Sequence, residues 1–106
     1  VEKDRAVFRV LLKNIKKICP NEDISVYCSD YNKFLNKIDI NKRYDVIFAD
    51  PPYEKYDYQK IFEKIKPFIN KNGIFCMEME KTNVDKSNFE IRVYGNTQLI
   101  LWRCDE

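Results

Sequence analysis

The chain of 106 residues contains no histidine. That absence removes Ser-His and Cys-His nucleophile pairs and most zinc sites, and no metal site is expected. Glycine is almost as scarce, with Gly73 and Gly95 alone. Neither follows an early strand, so no glycine-rich turn opens the fold. The four cysteines, Cys19, Cys28, Cys76 and Cys104, form no C-x-x-C pair. Three sit among apolar neighbours, which predicts reduced core thiols in a cytoplasmic protein. No apolar run approaches the length of a membrane span, and no membrane partner is expected. The first residues carry no signal-peptide pattern.

Strong net charge is also missing, with 19 basic against 17 acidic residues. That excludes a basic tail but permits a local basic face. Codon bias in an AT-rich genome accounts for the abundant lysine, asparagine and isoleucine better than nucleic-acid binding does. With 44% hydrophobic and 34% charged residues, the chain is globular, one small domain or a piece of a larger one. Val1 is not a methionine, and Val1-Glu2-Lys3-Asp4 has the pattern of a strand end entering a helix. The expectation is a single partial domain over residues 1–106, cut from a longer protein.

Hydrophobic spacing gives the order of elements. Asp4 suits an N-cap, and Val7, Val10, Leu11, Ile15 and Ile18 recur at helical spacing up to Cys19-Pro20. Ile24 to Ser29 reads as a strand, and a short helix is predicted from about Tyr31 to Ile38. Asp45 to Ala49 is the next strand, ended by Pro51 and Pro52. Tyr58, Ile61, Phe62, Ile65, Phe68 and Ile69 form a second amphipathic helix, kinked or ended by Pro67. Asn72-Gly73 reads as a turn. Ile74 to Glu80 reads as a strand buried on both faces. Glu90 to Tyr94 and Thr97 to Arg103 form a hairpin around Gly95-Asn96. The alternation predicts an α/β fold with a mostly parallel sheet and a C-terminal antiparallel hairpin.

In such sheets ligands bind at the carboxyl ends of the strands. Glu2, Asp30 and Asp50 fall at such ends, although acids there also serve as helix caps. Asp50-Pro51-Pro52-Tyr53 is more specific. An acid-or-amide, Pro, Pro, aromatic string arises by chance in roughly 0.2% of chains this long. The plain alternative is a rigid turn ending a strand.

The residue types suit methyl transfer to a planar exocyclic amino nitrogen. That nitrogen is a poor nucleophile, because its lone pair is delocalised into the ring. Acceptors must take its two hydrogens so that it can pyramidalise. The Asp50 carboxylate is one acceptor and the Pro51 carbonyl, held outward by the rigid Pro51-Pro52 pair, is the other. Tyr53 offers a ring on which the base stacks, worth about 1–3 kcal/mol. The work is positioning and electrostatic stabilisation, and the base must be unpaired or flipped out.

Asp50-Pro51-Pro52-Tyr53 resembles the D/N-P-P-Y/F/W signature of class I, S-adenosylmethionine-dependent amino-methyltransferases. Val1-Glu2-Lys3-Asp4 is similar to the motif whose acid binds the cofactor ribose, a role implied for Glu2 with Lys3 beside it. Ser29-Asp30-Tyr31 is similar to the next motif, whose acid contacts the adenine amino group, a role implied for Asp30 with Tyr31 beside it.

Within that class the chain resembles the RsmD-like 16S rRNA guanine-N2 methyltransferases. Leu11-Leu12-Lys13-Asn14, Ile47 to Tyr53, Glu78 late in the next strand and Tyr94-Gly95-Asn96-Thr97 carry the likeness. It implies a Rossmann-like methyltransferase sheet, S-adenosylmethionine as cofactor, and ribosomal RNA or the small ribosomal subunit as partner, hence a part in rRNA processing. It also implies that Glu78 lines the base pocket, the alternative being that it solvates the sheet edge. Tyr56 is a possible extension of the stacking platform, whereas Tyr58 reads as the first core residue of its helix. Adenine-N6 methylation of DNA and glutamine-N5 methylation of protein are same-fold alternatives. A non-catalytic RNA-binding or scaffold domain with a decayed motif is the alternative from another class.

The family's first strand and glycine-rich loop have no counterpart in this sequence. The expectation is that these residues fold by rearrangement, strand exchange with another copy or pairing with the missing segment. These 106 residues alone are predicted to bind S-adenosylmethionine poorly and not to catalyse. Calorimetric titration tests this, and tight binding would defeat it.

Overall fold

A computed structural model describes residues 1–52 and 57–105. They form two compact units, Val1–Asp39 and Ile40–Glu106. No helix among the described residues is long and apolar enough to cross a membrane.

The first unit holds α1 (Arg5–Ile18) and α2 (Tyr31–Lys37). Both start where an aspartate satisfies the orphan amides of a first turn. Asp4 Oδ1 accepts from the N–H of Ala6 and Val7 at 2.8 and 3.1 Å. Asp30 Oδ1 accepts from the N–H of Asn32 at 2.9 Å. α1 ends at Cys19, whose N–H reaches the Ile15 carbonyl, before Pro20.

Residues Ile24 to Ser29 do not form the predicted strand. Only Cys28 pairs, in a parallel bridge with Glu2. The Glu2 N–H donates to the Tyr27 carbonyl at 3.0 Å, and the Ser29 N–H donates to the Glu2 carbonyl at 2.9 Å. A strand needs a continuous partner for its amides, and Val1–Lys3 offers one paired position. The ring of Tyr27 rests against Phe34 at 4.8 Å.

The second unit is a four-stranded sheet with one helix. Its elements are β1 (Tyr44–Ala49), α3 (Tyr58–Ile65) running into a 3-10 turn at Lys66–Phe68, β2 (Ile69–Glu80), β3 (Glu90–Tyr94) and β4 (Thr97–Arg103). Pro67 lies where α3 tightens into the 3-10 turn. The spatial order is β1-β2-β4-β3. β1 pairs with β2 in parallel, and the other two pairings are antiparallel.

This unit's sheet is therefore mixed rather than mostly parallel. The reason lies in the hairpin. β4 reads TQLILWR and β3 reads EIRVY, so the more apolar strand takes the inner position beside β2. β3 keeps Glu90 and Arg92 at the outer edge, where charge discourages further pairing. The two-residue turn has Gly95 at φ 61°, the positive value that the first central residue of a type II′ turn requires.

β2 begins five residues before the predicted Ile74. Asn72-Gly73 is not a turn between elements but an irregularity within the strand. Tyr44 is level with Ile69 and Val46 with Ile74, so β2 carries extra residues across two positions of β1. Asn72 takes the positive φ, 65°. A side chain at Gly73 would meet the Asn70 carbonyl at 2.8 Å and the Asp45 carbonyl at 3.0 Å.

The core lies on one face of this sheet. Phe75, Met77, Met79, Gln98 and Ile100 are buried there, under Ile61, Phe62 and Ile65 of α3. Phe62 is the hub, with ring centroids 5.6 Å from Phe75 and 5.0 Å from both Phe89 and Trp102. The Lys66 ammonium stands 5.7 Å from the Phe62 ring and 5.6 Å from the Trp102 ring. Buried Gln98 is satisfied by donating to the Thr82 carbonyl at 3.0 Å. Tyr58 does open the helix as a core residue, edge-on to Phe89 at 5.8 Å.

Burial on both faces of β2 is not observed. Ile74, Cys76 and Glu78 on the opposite face are half-buried, and Val46 and Phe48 of β1 are 64% and 58% exposed. The cysteines form no disulfide among the described residues, and none is a fully buried core thiol, since Cys19, Cys76 and Cys104 are half-buried and Cys28 is exposed.

Phe62→Ala removes the hub of the aromatic cluster and is expected to cost about 3–5 kcal/mol. Urea unfolding monitored through Trp102 measures it. A loss below about 1 kcal/mol would show that α3 is held by other contacts.

Candidate active site

β1 is apolar at Val46, Ile47 and Phe48, and parallel pairing with β2 points the carboxyl ends of both strands the same way, with β2 running three residues further. Ala49 is level with Met77. Asp50 directly follows β1, and Glu78 directly follows Met77, two residues before the end of β2, so both acids lie towards the carboxyl side of neighbouring strands. Asp50 is exposed, Pro51 half-buried and Pro52 exposed. Tyr53 lies outside the described residues, as does Tyr56. No described residue bonds to the Asp50 carboxylate.

Glu78 is half-buried on the sheet face opposite α3. Strand alternation places Cys76 on that same face, level with Phe48. Cys76 is the residue that sequence reasoning missed as a neighbour of this edge, and the two-residue step back from Glu78 was the signal available. Burial, and then the Glu78 charge, push the Cys76 thiol above its ordinary pKa.

The first unit brings together the other predicted residues. Glu2 pairs with Cys28, two residues before Asp30, so Glu2, Lys3, Asp30 and Tyr31 occupy adjacent segment ends. Glu2 is half-buried, and its Oε1 accepts from the Asp4 N–H at 3.0 Å. Asp30 is half-buried and its Oδ1 caps α2. Each carboxylate is thus oriented by a backbone amide through one oxygen. Lys3 is exposed, and its carbonyl takes a long contact of 3.9 Å from the Cys28 thiol. Tyr31 is half-buried as the first residue of α2.

Among the described residues no group of three or more His, Cys, Asp or Glu side chains gathers in a metal-binding arrangement. Within the first unit Glu2 and Asp30 offer carboxylate acceptors, and within the second Asp50, the Pro51 carbonyl and Glu78 offer acceptors.

The family profile described as Conserved hypothetical protein 95 matches residues 1–103. The chain belongs to that family. Solved structures share the fold. One is a candidate methylase of Haemophilus influenzae, at 23% identity and TM-score 0.77, covering 99% of this chain and 70% of its own. Another is the candidate methyltransferase yhhF of Escherichia coli, at 20% identity and TM-score 0.78, covering 98% of this chain and 60% of its own. A hypothetical protein of Thermus thermophilus matches at 25% identity and TM-score 0.79, covering 95% of this chain and 58% of its own. The chain thus spans 58–70% of the length of these three. No curated protein matches significantly.

The Cys76–Glu78 pairing has a measurable consequence. The pH profile of iodoacetamide alkylation at Cys76, read by peptide mass spectrometry, is expected to have its midpoint above that of an ordinary thiol. Glu78→Gln should move the midpoint down, because the carboxylate opposes thiolate formation. An unmoved midpoint would show that the carboxylate does not face the thiol.

Proposed function

We propose that this chain belongs to an S-adenosylmethionine-dependent methyltransferase acting on an exocyclic amino group, with guanine N2 of small-subunit ribosomal RNA as the substrate. The observation that carries the reading is Asp50-Pro51-Pro52 directly after β1, whose last residue, Ala49, is level with Met77, the neighbour of Glu78 on β2. Family membership and the fold shared with candidate methyltransferases support it.

The residues present fit the ribose and adenine parts of the cofactor. Glu2 and Asp30 each keep one carboxylate oxygen outside the backbone hydrogen bond that orients them. A carboxylate held this way suits a ribose diol or an adenine amino group, so Glu2, with Lys3, and Asp30, with Tyr31, would hold those parts. When bound, the cofactor supplies an electrophilic methyl group.

The chain's own part is on the acceptor side. The Asp50 carboxylate and the Pro51 carbonyl each accept one N–H of the amino group. Their pull localises the lone pair on nitrogen, which otherwise is spread into the ring. The proton released on alkylation passes to Asp50 or to solvent. Tyr53 stacks the base, and Glu78 bounds the pocket at the same sheet edge.

The test supplies the full-length protein with S-adenosylmethionine labelled in its methyl group and with small ribosomal subunits lacking the modification. Labelled N2-methylguanosine is the expected product after nuclease digestion. Asp50→Ala should lower the rate about a hundredfold or more while circular dichroism is unchanged. Label in N6-methyladenine or in glutamine would replace the substrate, and wild-type activity in Asp50→Ala would remove the assigned role.

A further inference from the structure

Five of the chain's 19 basic residues lie on α1: Arg5, Arg9, Lys13, Lys16 and Lys17. α1 holds no acid, so the remainder of the chain, with 14 basic and 17 acidic residues, is net negative. All the net positive charge of this protein is therefore carried by one helix.

The placement is directional. At roughly 100° per residue the five cations fall within about 120° of the helix circumference. Phe8, Leu11 and Ile15 lie on the other side and Leu12 borders the arc beside Arg5, and all four are half-buried. All five cations are exposed, and none forms an ion pair or side-chain hydrogen bond with a described residue.

Helix stability explains only part of this. Lys16 and Lys17 sit in the last turn, where cations complement the helix dipole. Arg5 sits in the first turn, where the dipole disfavours a cation. The stripe thus runs against the local electrostatics at its first residue, a cost that an external anion would offset.

We propose that the basic stripe of α1 is a docking surface for the phosphate backbone of RNA. From Arg5 to Lys16 the stripe extends about 17 Å. That matches about five phosphates of a stacked strand spaced about 3.4 Å apart. Cations in one row track a polyanion without reading its sequence. A membrane surface fits less well, because a surface-bound helix buries its apolar face in lipid. On α1 that face is already half-covered by protein, although Val7, Val10 and Ile18 remain exposed. The choice of RNA as the polymer rests on the proposed function, whereas the charge arrangement stands without it.

The test measures binding of a fluorescent mixed-sequence single-stranded RNA of 20 nucleotides to the full chain, with no methyl donor present. Binding therefore reads the stripe and not catalysis. R9Q/K13Q/K16Q is expected to weaken binding at least tenfold. The slope of log affinity against log salt should fall by about two. Removing three exposed lysines elsewhere, K42Q/K71Q/K86Q, should change affinity less than threefold. K13R/K16R/K17R should bind as the wild type does, and circular dichroism checks the helix in each variant. An unchanged salt slope in the stripe variant, an equal loss in the control, or absence of RNA binding by the wild type would overturn the proposal. So would stripe-dependent binding to phosphatidylglycerol vesicles without RNA binding.

Discussion

The parallel pairing of β1 with β2 is the constraint on which the second unit depends. Two parallel strands cannot be joined by a tight turn, so the chain must cross over and return. Here the crossover contains α3, and α3 stays on the sheet because Phe62 packs among Phe75, Phe89 and Trp102. Those three rings come from β2, from the segment before β3 and from β4. One side chain therefore ties the crossover to the whole antiparallel half. The parallel register then does something an antiparallel one would not: it brings the carboxyl ends of β1 and β2 to one edge. Asp50, just past β1, and Glu78, near the end of β2, lie on that side of the sheet because of this pairing.

Carboxylates in this chain carry two kinds of load. Asp4, Asp30 and Asp57 each cap a helix, satisfying amides that would otherwise go unpaired. Glu2 braces the same entry turn through the Asp4 amide. Such duties do not compete with ligand binding, because a carboxylate has two oxygens and the cap uses one. They also hold the group in a single orientation. The weighing of cap against site for Asp30 therefore has no single winner in the fold.

The apolar character of the sheet is unevenly used. The face under α3 is closed, with Phe75 and Ile100 fully buried, while the opposite face leaves Val46 and Phe48 in water. β1 is also an outer strand, so its exposed side chains coincide with an open backbone edge. The charged edge at β3 is the contrasting case, guarded by Glu90 and Arg92. The two edges of one sheet thus have different chemistry, apolar on the side of the proposed acceptor site and charged on the other.

Much of this was legible in the residue order. Helical spacing from Val7 to Ile18, the Asp4 cap and the Pro20 stop defined α1 to within a residue, because these are local effects. Gly95-Asn96 marked the hairpin, and Pro51-Pro52 marked the end of β1, because prolines cannot continue a central strand. What failed depended on partners distant in sequence. Ile24 to Ser29 has strand character but only one paired position, and β2 has two-faced apolar character but only one covered face. The inner place of β4, the bulge at Asn72 and the alignment of Asp50 with Glu78 are properties of pairing, which no stretch of sequence contains. By itself the sequence determined most of the elements, because capping, helical spacing and turn residues act locally. Tertiary structure alone decided which strand ends meet, because hydrogen-bond register is fixed only when the strands assemble.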